Sequence, residues 1–424
     1  MRLFNHLRER SPFKRPVNGA LNALRFLGPG LLVTVGFIDP GNWASNVAAG
    51  SEFGYQLLWV VTLSTLMLIV LQHNAAHLGI VTGRCLAESA TEHLSPWISR
   101  PALASAVLAA AATAFAEILG GGIALQMLFH IPLRFGAALT AVVATLLLLW
   151  NSYRRLEKLI VGFVSLIGLA FLFELYLIDT HWVEAAAGWV TPGLPHGAIL
   201  VVMSVLGAVV MPHNLFLHSE VIQNREWHTQ GETAILSHLR FEWLDTLFSM
   251  IVGWMINSAM ILLAAATFFQ QKIKVDSLEQ AADMLRPILG HNGAVAVAVF
   301  AIALLCAGLT ASVTAGMAGG SIFAGLFNHN YDLKKTSSKV GLAITMGSAL
   351  VAVMFVTNSY RALILSQVVL SIQLPITIVI QIYLTSSKKV MGIHANTPMG
   401  NVWLRLIAGI VIALNIILLW NTLV

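Results

Sequence analysis

Two helix-breaking tetrapeptides, Asp39-Pro40-Gly41-Asn42 and Met211-Pro212-His213-Asn214, each interrupt a long apolar run. Proline removes a backbone donor and glycine loosens a helix, so both places set free carbonyl groups that lipid cannot satisfy. In a membrane, such irregular backbone persists only where protein buries it or where it lines a cavity. The breaks lie 172 residues apart, from Asp39 to Met211, and each opens a set of about five apolar runs. Paired breaks in corresponding halves point to a binding site for a carried solute near the bilayer midplane.

Membrane placement follows from composition. The chain is 57% hydrophobic and 10% charged, with a mean hydropathy of +0.80, whereas a soluble domain carries about a quarter charged residues. Eleven runs approach the ~20 residues needed to span hydrocarbon, near 22–50, 55–81, 101–129, 135–151, 157–178, 197–223, 241–268, 292–327, 338–356, 361–385 and 402–422. The reading is an all-α polytopic membrane protein. An amino-terminal segment, 1–21, precedes a single transmembrane domain, 22–424. Repeat one covers about 22–178, repeat two about 197–385, and an extra helix about 402–422. An odd number of spans per set makes the second copy enter from the opposite face, which is an inverted repeat. Polar connections are expected at Gln270–Arg286, outside, and Tyr331–Lys339, inside.

Placing the amino terminus in the cytoplasm puts all but five of the 24 basic residues on that side. The exceptions are Arg134, Lys272, Lys274, Arg286 and Arg361. This asymmetry sets the orientation in an inner (plasma) membrane and accounts for the net charge of +5, leaving no case for nucleic-acid binding. The basic residues of 2–15 are also suited to anionic lipid. No small-residue cleavage site precedes the first run, so the amino terminus does not read as a cleaved signal. Cys85 and Cys306 fall in different settings, and no disulfide between them is expected.

The breaks carry chemistry. A carboxylate near the midplane costs at least ~2.5–3.5 kcal/mol, which makes Asp39 a functional group rather than a mere cap. Asn42, three residues on, can turn its amide oxygen toward the same point or cap the second half-helix. Pro212 cannot donate to the carbonyl of Ala208, four residues earlier, so that oxygen is available to an ion. Met211 beside it offers a thioether, although a lone Met in an apolar helix is usually packing. Oxygen ligands alone suit Mg²⁺, Ca²⁺ and Mn²⁺ alike. A thioether shifts preference toward transition metals such as Mn²⁺, Fe²⁺ and Cd²⁺. His73 and His77, one turn apart, offer either a metal pair or an interfacial polar face, the second being favoured. Glu174 is expected to face inward, with no partner named.

Gly36-Phe37-Ile38-Asp39-Pro40-Gly41-Asn42 and the segment from Gly207 to Ser219, around Met211-Pro212-His213-Asn214, resemble signature segments of the Nramp divalent-metal transporters of the bacterial MntH type. Leu78-Gly79-Ile80-Val81-Thr82-Gly83 and Leu365-Ser366-Gln367-Val368-Val369-Leu370-Ser371 extend the likeness over nearly the whole chain. The resemblance implies a LeuT-type fold and import of Mn²⁺ or Fe²⁺, usually with protons. It places metal ligands on Asp39, Asn42, Ala208 and Met211, and adds Gln367 as a conformation-dependent ligand. It implies no enzyme activity and no cofactor, metal being the substrate.

The chain departs from this pattern where the family usually carries an acidic pair in the third span and an arginine pair in the ninth. Here the segments read Ala112-Thr113-Ala114-Phe115-Ala116-Glu117 and Gly341-Leu342-Ala343-Ile344-Thr345-Met346, and the eighth span has Gly308-Leu309-Thr310 in place of the usual Gly-Gln-Ser. Loss of an acid together with its cationic partners avoids an unpaired buried charge. It leaves Glu117, His213 and His218 as proton-pathway candidates and implies weak or altered coupling. The competing readings are a Mg²⁺-permissive or uncoupled member of the family, a Na⁺-coupled amino-acid symporter on the same fold, and a non-transporting metal sensor. A midplane Asp-Met pair disfavours the symporter. The sensor is expected to bring a soluble signalling domain, for which the polar connections are too short.

Overall fold

Proline and glycine at the two breaks determine where helices start and stop in the protein's computed structural model, which describes residues 38–150, 153–176, 178–223, 231–273, 275–282 and 293–423. The segment 1–21, the first run up to residue 37, and Arg225, Lys274 and Arg286 lie outside the described residues. The helices are α1 (Pro40–Phe53), α2 (Leu58–Thr82), α3 (Leu86–His93), α4 (Pro96–Phe129), α5 (Leu133–Trp150), α6 (Tyr153–Tyr176), α7 (Trp182–Val190), α8 (Ile199–Val209), α9 (Pro212–Gln223), α10 (Glu232–Ala264), α11 (Gly293–Gly325), α12 (Thr336–Met354), α13 (Ser359–Ser386), α14 (Lys388–Met391) and α15 (Pro398–Leu423). Ten spans long and apolar enough to cross a membrane are found among the described residues, with α8 and α9 together forming one of them. The second half of the opening run, α1, supplies the described part of the eleventh expected from sequence.

Both breaks occur where the proline pattern places them. Asp39 is in extended conformation and caps α1, with Pro40 in the first turn, a position where a missing N–H costs nothing. In the sixth span, α8 ends at Val209, Val210 leaves helical geometry at φ −101° and ψ 75°, and α9 starts at Pro212.

Small residues bring the helices together, as expected where lipid gives no hydrophobic driving force between them. The Gly120-Gly121-Gly122 run of α4 touches three neighbours: Pro40 at the first break, Thr140 of α5, and the backbone of α5 near Ala137. Gly308 of α11 packs on Gly121 and on the Glu117 carbonyl. Buried polar pairs tie the halves further, with Ser45 Oγ 2.5 Å from Ser204 Oγ and Asn46 Nδ2 donating to Asn257 Oδ1 at 2.6 Å.

Some local structure differs from the sequence expectation. The helices α3 and α7 were not anticipated, because eight or nine residues show too little periodicity. A capping box holds the start of α3: Glu88 N donates to Cys85 Sγ and Cys85 N donates to Glu88 Oε2. The segment expected as a plain loop from Gln270 folds back onto the bundle, burying Val275, Leu278, Ala281 and Ala282. Cys85 and Cys306 are both buried and free. Glu174 is 1% exposed and neither carboxyl oxygen has a hydrogen-bond partner.

Candidate metal centre

The two breaks meet. Asn42 Nδ2 donates to the Ala208 carbonyl oxygen at 2.8 Å, which joins the start of α1 to the last turn of α8. Asp39 divides its carboxylate between two tasks. Oδ1 accepts from the Asn42 backbone N–H at 2.5 Å as a helix cap, whereas Oδ2 is buried with no partner.

Gln367 on α13 reaches the same place. Its amide lies against Gly41, so closely that a Cβ at position 41 would overlap it, and its backbone carbonyl packs against Gly207 of α8. Met211 is fully buried between Ala109 and Leu370, and Asn214 Nδ2 lies 3.6 Å from its sulfur. Asp39, Asn42, Ala208, Met211 and Gln367 are all 0% exposed. The structure places Asp39, Asn42, Ala208 and Gln367 around the meeting of the two breaks, while Met211, the fifth candidate, is buried at the second break among Ala109, Leu370 and Asn214.

Three acceptor oxygens in this enclosed place have no donor: Asp39 Oδ2, Asn42 Oδ1 and Gln367 Oε1. About nine in ten buried polar groups in proteins are satisfied, so several orphan acceptors around one carboxylate make a candidate socket for a cation. Such a socket has too few thiolates or imidazoles for a zinc cage. Among the described residues, no group of three His, Cys, Asp or Glu side chains is placed to hold a metal. The Ala208 carbonyl differs from expectation in one respect. Pro212 frees it from the helix, but the Asn42 amide occupies it here.

A second acid borders the socket. The Glu117 carboxyl of α4 faces that of Asp39, and neither of its oxygens meets a donor. One turn earlier, Thr113 Oγ1 lies 3.2 Å from His213 Nδ1, while His213 Nε2 has no partner. His218 lies farther along α9, with Nδ1 2.7 Å from Gln72 Oε1 and Nε2 3.8 Å from Glu242 Oε1. Sequence reasoning missed Gln72 and Glu242. Each is a polar residue within or at the edge of an apolar run, which was the available signal. His73 bonds Glu242, and its ring lies 6.4 Å from that of His77 at a 13° interplanar angle. The polar-face reading of the histidine pair thus gains a named partner.

A helical bundle with two broken spans that meet in its interior is the architecture of a LeuT-type membrane transporter, and the comparisons agree on the fold. The fold is similar to MhsT in complex with L-phenylalanine at a TM-score of 0.57 and 18% identity, covering 92% of this chain and 97% of that one. It is similar to the Eremococcus coleocola manganese transporter at a TM-score of 0.82 and 28% identity, covering 96% of this chain and 88% of that one. In sequence, the chain is 39% identical to the divalent metal cation transporter MntH of Brucella suis, over 94% of this chain and 88% of the relative. It is 37% identical to that of Caldanaerobacter subterraneus, over 94% of each chain. The profile of the Natural resistance-associated macrophage protein-like family matches residues 30–421. The chain belongs to the Nramp family. It is a multi-pass membrane transporter and not an enzyme, and metal in this family is the substrate carried, not a cofactor.

Proposed function

We propose that the protein imports Mn²⁺, with Fe²⁺ and Cd²⁺ as further substrates, by alternating access around the socket at Asp39, Asn42, Ala208, Met211 and Gln367. The observation that carries this reading is the cluster of orphan acceptors Asp39 Oδ2, Asn42 Oδ1 and Gln367 Oε1, fully buried where the two breaks meet, with Met211 buried at the second break. Asp39 supplies the charge. Asn42, Gln367 and the Ala208 carbonyl supply neutral oxygens, and Met211 supplies the soft ligand that disfavours Mg²⁺ and Ca²⁺. The transport names of the relatives at 37–39% identity, and of the Eremococcus manganese transporter, support the same substrate class. One carboxylate ligand gives modest affinity, which release into the cell requires.

The orientation that fits the basic residues has a cytoplasmic amino terminus in the inner (plasma) membrane, with repeats at about 22–178 and 197–385 and the extra helix at about 402–422. Proton coupling is altered. Ala114 is fully buried on α4, and Gly341 packs so tightly on Gly319, Gly320 and Phe323 of α11 that no longer side chain fits. Glu117 and His213 are the titratable groups left beside the metal, and His218 the one beyond it.

Uptake into proteoliposomes with simultaneous reading of internal metal and internal pH tests this. Saturable Mn²⁺ uptake that Cd²⁺ inhibits and millimolar Mg²⁺ does not is the expected result. Absence of Mn²⁺ uptake, or equal inhibition by Mg²⁺, contradicts it.

A further inference from the structure

A line of titratable side chains runs from α9 through α10 to α2. His218 of α9 is 0% exposed, Glu242 of α10 is 1% exposed, and His73 of α2 is 30% exposed. Glu242 bridges the two histidines: Oε2 bonds His73 Nδ1, and Oε1 lies 3.8 Å from His218 Nε2. Thr246 Oγ1 donates to Glu242 Oε1 at 2.5 Å, which fixes the carboxyl between them.

Gln72 orients the inner end. Its Oε1 lies 2.7 Å from His218 Nδ1, so Nδ1 carries the hydrogen and Nε2 turns to Glu242 as the exchangeable nitrogen. At the outer end, Trp243 holds the His73 ring, with centroids 4.9 Å apart at 78°. Other titratable groups lie near this line. His77 stacks on His73, and His394 and Asn396 face His77. Glu220, the acid of α9 nearest His218 in sequence, instead accepts from Ser321 Oγ of α11 at 2.8 Å. A carboxyl that bonds a 30%-exposed imidazole on one side and lies 3.8 Å from a sealed one on the other has the form of a proton relay.

We propose that His218, Glu242 and His73 form the route by which protons leave the transporter, running from α9 across α10 to the partly exposed His73 of α2. The proposal deepens the reading of the protein as a metal importer with altered coupling and rests on it. A proton on His218 Nε2 passes to Glu242 Oε1. The protonated carboxyl rotates to present that hydrogen to His73 and protonates Nδ1, and His73 releases a proton to solvent from Nε2. His73 resets by exchanging its ring hydrogen with solvent, so each group ends as it began and one proton has moved. This route lies on the α2–α10 face and needs neither an acid at position 114 nor bases at 341 and 342.

The test uses the full chain in proteoliposomes, with Mn²⁺ uptake and internal acidification recorded together. Glu242→Gln keeps a hydrogen-bonding side chain but cannot carry a proton. The expected result is Mn²⁺ uptake within twofold of the unmodified protein and acidification per Mn²⁺ reduced roughly 10-fold or more, as for loss of a proton-transferring group. His73→Gln, at a half-exposed position, should reproduce the split if Glu242→Gln does not fold. A purely structural role would lower both fluxes together and overturns the relay. Undiminished acidification in both variants also overturns it, while leaving proton-coupled import intact. Mn²⁺ uptake with no acidification in the unmodified protein overturns the relay and coupling alike but not metal import.

Discussion

The side-chain amide of Asn42 donates to the main-chain oxygen of Ala208 at 2.8 Å across 166 residues of sequence. Each residue is a candidate ligand, and here the Asn42 amide nitrogen occupies the Ala208 oxygen while Asn42 Oδ1 stays unpartnered. If metal binds as proposed, the ion takes the Ala208 oxygen and Asn42 Oδ1, and the bond between the breaks is exchanged for bonds to metal, which links binding to the relative position of α1 and α8.

Asn42→Asp follows from this. It places a second carboxylate beside Asp39 and removes the donor to Ala208. The expected outcome is Mn²⁺ binding tighter by about 10-fold, or ~1.4 kcal/mol, with a lower maximal uptake rate because release is slowed. Calorimetric titration and initial-rate uptake check the two halves. Weaker binding would show that the donated bond matters more than the added charge.

Met211→Ala removes the soft ligand while leaving the oxygens. Mn²⁺ affinity should fall modestly, and inhibition of Mn²⁺ uptake by Ca²⁺ and Mg²⁺ should rise by about 10-fold or more, since hard ions accept an all-oxygen site. Competition assays decide it. An unchanged Ca²⁺ inhibition constant would return Met211 to a packing role between Ala109 and Leu370.

Gly341→Arg tests whether the tight α11–α12 contact is compatible with a basic residue. A Cβ at Gly341 already meets Phe323 Cβ at 2.6 Å, and the backbone of Gly319 and Gly320 at 3.0 Å. Overpacking costs ~1–3 kcal/mol, and an unpaired charge at membrane depth adds ~2.5–3.5 kcal/mol. The variant should melt lower in detergent and fail to recover coupling even when combined with Ala114→Asp. A melting temperature equal to that of the unmodified protein would show that the two helices can separate.

The bundle and its two breaks were legible in the sequence for a physical reason. Apolar runs of spanning length admit little but helices in a membrane, and Pro40 and Pro212 mark the stops. Asp39 and Met211 could be picked out as candidate ligands because a buried Asp and a Met beside a proline are costly or unusual in such runs. What was not legible depends on helix rotation. Asn42 pairing with Ala208, Gln72 with His218, and Glu242 with His73 all join residues more than 140 positions apart, and no local pattern encodes which faces meet. The absence of an acid at 114 and of bases at 341 and 342 could be seen, but the close backbone approach that accompanies Gly341 could not.

The central claim is that Asp39 is the charged member of a metal socket. Mn²⁺ titration calorimetry on Asp39→Ala, in protein that elutes and melts like the unmodified chain, tests it most directly, with Glu174→Gln as a control for loss of another buried membrane carboxyl. The account predicts a loss of affinity of at least about 100-fold, or ~2.7 kcal/mol, for Asp39→Ala and unchanged binding for Glu174→Gln. Binding by folded Asp39→Ala equal to that of the unmodified protein would contradict it.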